Sequence, residues 1–468
     1  MASPEECDYL VVGAGATAMA FVDTLIAESE ATVTMVDRRH RPGGHWNDAY
    51  SFVGLHQPAA FYGVASRELG DGVKDVTGPN AGYYSLSSGL EVLAYFDAVM
   101  RQRFLPSGRV RFLSQHDFVG RDGDVSEVIS LTSGERRRIR ARKIVDATHA
   151  RTEIPSTHPP KYEVARDVTL IPVNGLARLE RAYANYTIVG SGKTGMDACL
   201  WLLANGTAPE RIRWIVPQDA WWVNRANIQP GVEFFDSSIG AATEQFVCVA
   251  EAESVADLFR RLEDGGYLHR LDPEVEPTRY RCAVVSPGER EQLRRIPNIV
   301  RLGHVRAIGR DELVMEKGTL PTEPDTLYVD CTAGAIQLPP NVPVFDGSTI
   351  NLLMVRTCQP TFSAALIAFV EARVRDAAEK NALCVPVPSP ERPIDWLGMW
   401  GATLRNTRSW NAHPDVRVWM AGCRLNNMTT FLRGVDLNDG EKMQKLQTLR
   451  EKAGLAAQKL PALLASVA

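Results

Sequence analysis

Val12-Gly13-Ala14-Gly15-Ala16-Thr17-Ala18 follows an apolar run from Asp8 and opens a helix-forming stretch, and Val189-Gly190-Ser191-Gly192-Lys193-Thr194-Gly195 does the same after Asn185 to Val189. A strand that turns through closely spaced glycines into a helix is the signature of a dinucleotide site. The first Gly makes the tight turn and the second admits a pyrophosphate against backbone. The third position, Ala18 or Gly195, must be small so that helix and strand can touch. The phosphates then meet free N–H groups at the positive end of a helix. Two such boxes, a domain's length apart, predict an α/β fold. It comprises two Rossmann-like, doubly wound, parallel-sheet dinucleotide-binding domains, the second inserted into the first, with a helical C-terminal tail. Two sites also imply two redox cofactors.

The surroundings of each box refine this. Ala31 to Val36 alternates as a strand and ends in Asp37-Arg38. An acid roughly 20 residues past a box can hold a ribose hydroxyl. After the second box the strand Arg211 to Val216 ends in Pro217-Gln218 with no acid at its tip. That absence favours NADPH, with NADH as an alternative, and Arg213 or Arg225 is either a 2′-phosphate partner or an ordinary surface arginine. Gly192-Lys193-Thr194 imitates the end of a phosphate loop, but Thr187 stands where that motif needs a Gly.

An internal echo supports two units of one architecture. Val110-Arg111-Phe112-Leu113, Val119-Gly120-Arg121 and Ile144-Val145-Asp146-Ala147-Thr148 recur as Val300-Arg301-Leu302-Gly303, Ile308-Gly309-Arg310 and Tyr328-Val329-Asp330-Cys331-Thr332. The domains expected are 1–165 with 324–380 for the first cofactor, and 166–323 for the second, carrying an insertion at 221–274 with a helical middle. Residues 381–468 form a C-terminal helical extension. Pro155, Pro159 and Pro160 punctuate the crossing.

At this point the chain resembles the two-dinucleotide-binding flavoproteins, most closely the flavin-containing and Baeyer–Villiger type monooxygenases. The likeness spans roughly residues 8 to 380. It rests on Gly13, Gly15, Ala18, Asp37, the run Gly43-Gly44-His45-Trp46, the second box and the two Asp-x-Thr strand ends. The resemblance implies FAD on the first box, with Arg38, Gly44, His45, Trp46 and Thr148 beside it. It implies NADPH on the second, held by Gly190, Gly192, Lys193, Thr194, Gly195, Arg213 and Thr332. O2 is the implied co-substrate, taken up by reduced flavin as a C4a-peroxide. His149 stands where the family carries the Gly of Ala-Thr-Gly, and Ala335 to Pro340 departs again. In such folds a late turn, here Gln359-Pro360-Thr361-Phe362-Ser363, sets a helix N-terminus near the flavin pyrimidine.

The cofactor carries the hard step, so few side chains need to be catalytic. His56 and Gln57 follow the double-glycine loop. Gln57 is a partner for the flavin N5 or an oxygen atom, and His56 is a proton carrier near neutral pH. Asn224 and Arg225 form a second pair for nicotinamide or substrate. The first pair also reads as polar groups capping a turn before Pro58, and the second as residues with no part in the chemistry.

Composition sets bounds. The 468 residues carry 52 basic and 56 acidic side chains, net −4, which argues against nucleic acid or an anionic membrane as partner. No apolar run approaches the length of a membrane span. The eight cysteines are scattered without C-x-x-C spacing, which excludes a dithiol pair of that kind and a zinc site. Together with an acidic start unlike a secretory leader, this suggests the cytoplasm. Beyond Pro386 lie Trp396, Trp400, Trp410 and Trp419 as packing anchors. An amphipathic helix from Gly440 to about Ala457 offers a cover for the substrate side or a homodimer contact. The function expected is an FAD-dependent, NADPH-driven monooxygenase for a small or medium organic substrate. The alternatives are a flavin dehydrogenase, reductase or oxidase without oxygen insertion, and a flavin-binding regulator, which would not need the second box.

Overall fold

β1 (Glu5–Val12) is an apolar strand that ends at Gly13 and leads into α1 (Ala16–Glu28) and β2 (Val33–Asp37). The computed structural model describes residues 3–149, 154–332, 342–436 and 438–465, so the departure at Ala335 to Pro340 lies outside the described residues. α2 (Gly89–Val99), β3 (Val110–Ser114), β4 (His116–Asp122), β5 (Val125–Ser130) and β6 (Arg136–Asp146) follow. The arginine-rich start of β6 pairs antiparallel with β5, and Arg137 and Arg140 face Glu5 and Glu6 across the sheet.

The second unit holds β7 (Glu163–Val164), β8 (Thr169–Pro172), β9 (Asn185–Val189), α3 (Lys193–Ala204) and β10 (Ile212–Ile215). Next come β11 (Ala220–Asn224), α4 (Phe235–Glu251), α5 (Val255–Asp264), β12 (Leu268–His269) and β13 (Arg279–Val285). α6 (Pro287–Arg294), β14 (Asn298–Val300), β15 (Val305–Ile308), β16 (Glu312–Met315), β17 (Gly318–Pro321) and β18 (Thr326–Asp330) complete it. The chain then adds β19 (Phe345–Asp346), β20 (Thr349–Asn351) and α7 (Pro360–Arg373). It finishes with α8 (Ala377–Leu383), α9 (Asp395–Ala412), α10 (Pro414–Gly422), α11 (Asn427–Phe431) and α12 (Gly440–Ala465).

The first sheet runs β19-β20-β6-β1-β2-β3, and the second runs β14-β10-β9-β18-β8. The box strands β1 and β9 are central in both, flanked by parallel partners: β2 and β6 in one, β10 and β18 in the other. The repeat in the sequence is therefore a repeat in topology. The capping detail repeats too. The Thr148 N–H and hydroxyl both donate to Asp146 Oδ1 (2.8 Å each), and those of Thr332 both donate to Asp330 Oδ1 (3.0 and 2.6 Å).

Two expectations need correction, and a third feature lies outside them. The return to the first unit at residue 324 is too early: Thr326–Asp330 pairs with Asn185–Val189 in the second sheet, and only β19 and β20 rejoin the first. The insertion at 221–274 is part of a larger layer, because β11 forms a three-stranded sheet with β12 and with β13, which reaches Val285. Its apolar face shares a core with Trp396, Trp400 and Leu460 of the C-terminal helices. Third, Cys282 and Cys358 are joined in a disulfide across 76 residues, Cα–Cα 6.6 Å, a pairing that no local spacing announces. α7 is buried along its length from Thr361 to Glu371 and packs in one core with α1, which explains why it is apolar on all sides. Among the described residues no helix is long and apolar enough to cross a membrane.

Candidate active site

The first box is built by close backbone approach. Gly13 has φ +99°, and a Cβ there would meet Thr148 Cγ2 at 3.3 Å. The double-glycine loop lies directly on the box: Gly43 N–H donates to Ala14 C=O (2.8 Å), and a Cβ on Gly44 would lie 2.9 Å from Gly15 Cα. Asp37 is buried at the same place. Its Oδ2 accepts from Ala14 N–H (2.6 Å) and its Oδ1 from Arg39 N–H (2.8 Å). Gly15 caps α1 with no side chain, so the first-turn N–H groups are left without a side-chain partner. Ala18 is fully buried. Trp46 is buried and donates its Nε1–H to the Tyr62 hydroxyl (2.9 Å), while the exposed His45 stacks on it. Arg38 points away, exposed, toward Asp117.

The second box repeats the construction with less slack. Gly190 has φ +119°, and a Cβ on it would lie 2.8 Å from Cys331 C=O; one on Gly195 would lie 2.1 Å from Gly190 C=O. Trp214 Nε1–H donates to that same carbonyl (2.9 Å), and the Ser191 hydroxyl donates to Gln218 C=O (3.1 Å). Gly192 caps α3, again without a side chain. Thr194 lies half-buried in the first turn of α3. Arg213 departs from its expected role. It lies inside β10, and bonds Glu323 Oε1 (2.5 Å) and Pro321 C=O (3.2 Å). An acid does stand just past the tip of that strand: Asp219, buried and clasped by Arg301 Nε (2.8 Å) and Nη2 (3.1 Å). The sequence missed it because the strand stops before Pro217.

At the second box four charges form a network, Arg225 and Glu289 buried and Lys193 and Asp197 half-buried, with hydrogen-bond partners from the first unit. Lys193 binds Asp197, whose other oxygen accepts from the Tyr50 hydroxyl (2.6 Å). Lys193 Nζ also faces Glu289 Oε1 at 3.9 Å, and Glu289 Oε2 meets Arg225 Nη2 at 2.8 Å. Burial opposes ionisation of Glu289, but Lys193 and Arg225 outweigh it and hold the carboxyl below its ordinary range. Arg225 further binds His56 C=O (3.0 Å), Asn80 Oδ1 (3.1 Å) and Val284 C=O (3.2 Å). It is a fully buried strut and presents no surface to a substrate. Asn224 is likewise spent: its Oδ1 accepts from Ala226 N–H and its Nδ2–H donates to Gly266 C=O.

His56 lies in this network half-buried. Val284 N–H donates to its Nδ1 (3.0 Å), so the neutral ring carries its proton on Nε2. Burial first, then the charges of Lys193 and Arg225, lower its pKa to about 3 against the opposing pull of Glu289. The expected proton carrier near neutral pH is instead a ring held neutral there, with Nδ1 occupied and Nε2 protonated. Gln57 beside it is half-buried. At the edge of α7, Thr361 and Phe362 are buried, and the Ser363 hydroxyl accepts from the N–H groups of Val355 and Arg356. Arg356 lies between the rings of Phe362 (3.9 Å) and Trp410 (4.9 Å).

A bound group fits this arrangement. Of fifteen buried side-chain atoms without a hydrogen-bond partner among the described residues, two are His149 Nε2, next to Thr148 of the first unit, and Gln359 Oε1 at the N-cap of α7. Native proteins rarely leave such atoms unpaired. Backbone also approaches closely enough to disfavour a Cβ at Gly44 in the first cradle and at Gly190 and Gly195 in the second. Tyr50, Asn80, Asp197 and Glu289 escaped the sequence reading; only the Ser286-to-Glu289 capping box was locally legible.

No protein-family model matches the chain. Uncharacterized protein Rv2000 of Mycobacterium tuberculosis is 44% identical over 462 residues, covering 98% of this chain and 84% of the relative. The chain belongs to the Rv2000 family. Uncharacterized protein Mb2023 of Mycobacterium bovis matches to the same extent. Among solved structures, OTEMO in complex with FAD and NADP superposes with a TM-score of 0.51 at 13% identity, covering 79% of this chain and 84% of that one. This chain of the Rv2000 family therefore shares the two-dinucleotide-binding fold, as its paired boxes and sheets require.

Proposed function

We propose that the chain is a flavin-dependent oxidoreductase, an NADPH-driven monooxygenase acting on a small or medium organic substrate. The observation that carries this reading is the pair of like-built strand–glycine-turn–helix cradles, with a charge network at the second that takes partners from the first unit. OTEMO, whose fold is shared, was solved with FAD and NADP. FAD would be held by Gly13, Gly15, Asp37, Gly44, Trp46 and Thr148, and NADPH by Gly190, Gly192, Lys193, Thr194 and Gly195. The division proposed is a flavin unit built on the first sheet and a nicotinamide unit built on the second.

When bound, FAD supplies the two-electron relay between nicotinamide and dioxygen. The chain's own residues do four things. Gly13 to Ala18 and Gly190 to Gly195 bring helix N–H groups to the two pyrophosphates. Asp37 offers its free lone pairs to a ribose. The His56 Nε2–H is available to donate to a bound group and keeps its proton across the neutral range, because burial and then the charges of Lys193 and Arg225 hold the ring uncharged while Val284 N–H occupies Nδ1. Buried Trp46 and Tyr62 exclude water from the wall beside the double-glycine loop.

The test is a pair of variants. Gly13→Val should abolish flavin binding, read as lost visible absorbance in the purified protein. Gly190→Val should keep flavin and lose its bleaching by NADPH under anaerobic conditions. Normal bleaching in Gly190→Val would sink the two-site assignment. Oxygen insertion is tested separately, by isotope-labelled O2 and mass spectrometry of products from a substrate panel. Stoichiometric hydrogen peroxide with no labelled product would favour an oxidase.

A further inference from the structure

Cys282 and Cys358 occupy a position that the proposed chemistry does not use. Among the described residues only four non-glycine positions have positive φ, namely Gln115, Cys282, Asp325 and Cys358, and two of them are this pair. Left-handed backbone is disfavoured for a residue bearing a Cβ, so both ends of the link are held in a conformation they would not choose. Cys282 also lies in a bulge. β11 and β13 pair Trp221 with Tyr280 and then Val223 with Val284, so β13 carries extra residues there, Cys282 among them. Bulges turn a side chain out of its sheet and are enriched beside active sites.

What the link joins gives it meaning. Val284, two residues beyond Cys282, holds His56 through its N–H and Arg225 through its C=O. Cys358 adjoins Gln359, the N-cap of α7, and Thr357 N–H is tied to Thr403 Oγ1 (3.0 Å). One covalent bond thus connects the strand that orients His56 to the start of α7. Both cysteines are half-buried, whereas Cys199, Cys248, Cys331, Cys384 and Cys423 are buried with thiols pushed up by desolvation. Thiols of that kind exchange poorly.

We propose that Cys282–Cys358 is a reversible thiol–disulfide site for a dithiol, and that its redox state sets how firmly β13 is held against the start of α7. A thiolate of the dithiol attacks one sulfur of the pair and breaks the S–S bond. This gives a mixed disulfide and a cysteine thiolate that takes up a proton. The second thiolate of the dithiol then displaces the other cysteine, which is protonated in turn. The dithiol leaves as its disulfide, and the protein has gained two electrons and two protons. The exchange stands on the geometry alone; its consequence for the cleft rests on the function proposed above.

The experiment equilibrates the full chain in buffers of oxidised and reduced dithiothreitol, quenches with acid, and alkylates after unfolding. The oxidised protein should take up six alkyl groups, matching its six free cysteines, and the reduced protein two more, reversibly. Hydrogen exchange of the amides in 279–285 and 355–361 should rise at least tenfold on reduction. Cys282→Ser and Cys358→Ser should each show the fast exchange in both buffers. Full alkylation of every cysteine in the oxidising buffer, or exchange indifferent to the buffer in wild type, overturns the proposal. Because these readouts need no flavin, they must persist in Gly13→Val, which separates their failure from that of the monooxygenase reading.

Discussion

Arg225 shows how much a side chain's role depends on distant partners. In sequence it follows Trp221 to Asn224 and reads as a polar group for substrate. In the fold it is bonded to Asn80, 145 residues away, and paired with Glu289. Removing one member of a buried ion pair costs about 3–5 kcal/mol, because the other is left charged and alone. Arg225→Ala should lose stability on that scale in urea unfolding, and adding Glu289→Ala should recover part of it. A stable Arg225→Ala protein with lost turnover would point back to catalysis. His56 makes a pH prediction. Its folded pKa, about 3, is below the value of about 6.5 for an unfolded histidine. The unfolded chain therefore binds the extra proton first, and the stability due to neutral His56 is full above pH 6.5 and declines as pH falls toward 3. Between pH 7 and 5 wild type should lose more stability than His56→Gln. Neither role was legible, since the identity of Val284 or Glu289 as neighbour is set by tertiary folding and leaves no local pattern.

At the scale of elements the sequence spoke clearly wherever the constraint was local. β9 spans Asn185–Val189 as the apolar run indicates, because a strand feeding a glycine turn is written in consecutive residues. Asp37 was found the same way, as the last residue of β2. Arg213 was a candidate by residue type alone and is bonded to Glu323 and Pro321, partners more than 100 residues away, and Asp219 was passed over because it lies three residues past the expected strand end at Val216. The tightest local constraint is Gly195. A methyl group there would sit 2.1 Å from Gly190 C=O, so α3 must move off the box. Gly195→Ala should raise the KM for NADPH at least tenfold and leave flavin content unchanged. Gly44→Ala should do the converse, weakening flavin retention on dialysis while NADPH binding holds, since its Cβ would press on Gly15 Cα at 2.9 Å.

Across the whole molecule, the duplicated sheets were legible from the two boxes and their echo, and the return point was not. The strand ending in Asp330 belongs with the second unit because it is the counterpart of β6, a fact already present in the Asp146 and Asp330 caps. The role of the C-terminal helices was hidden, because amphipathic helices do not name the surface they cover. They anchor the chain between β20 and α7: Asn406 Nδ2–H donates to both Val355 and Val385 carbonyls at 2.7 Å. Asn406→Ala orphans two carbonyls, at about 1–3 kcal/mol for each unmet group. It should lower the melting temperature and speed proteolysis near residue 355.

The placement of β20 beside β6 also dictates an order of assembly on the ribosome. Asp146 leaves the exit tunnel about 200 residues before Asn351, its partner in register. At about 5–20 residues per second, this parallel strand edge waits on the order of 10–40 seconds for its neighbour. Among the described residues the second sheet draws no strand from outside 169–330, so it is free to close during that interval. The first sheet is thus finished after the second although it begins first, and until then the open strand edge of β6 is a site for mispairing.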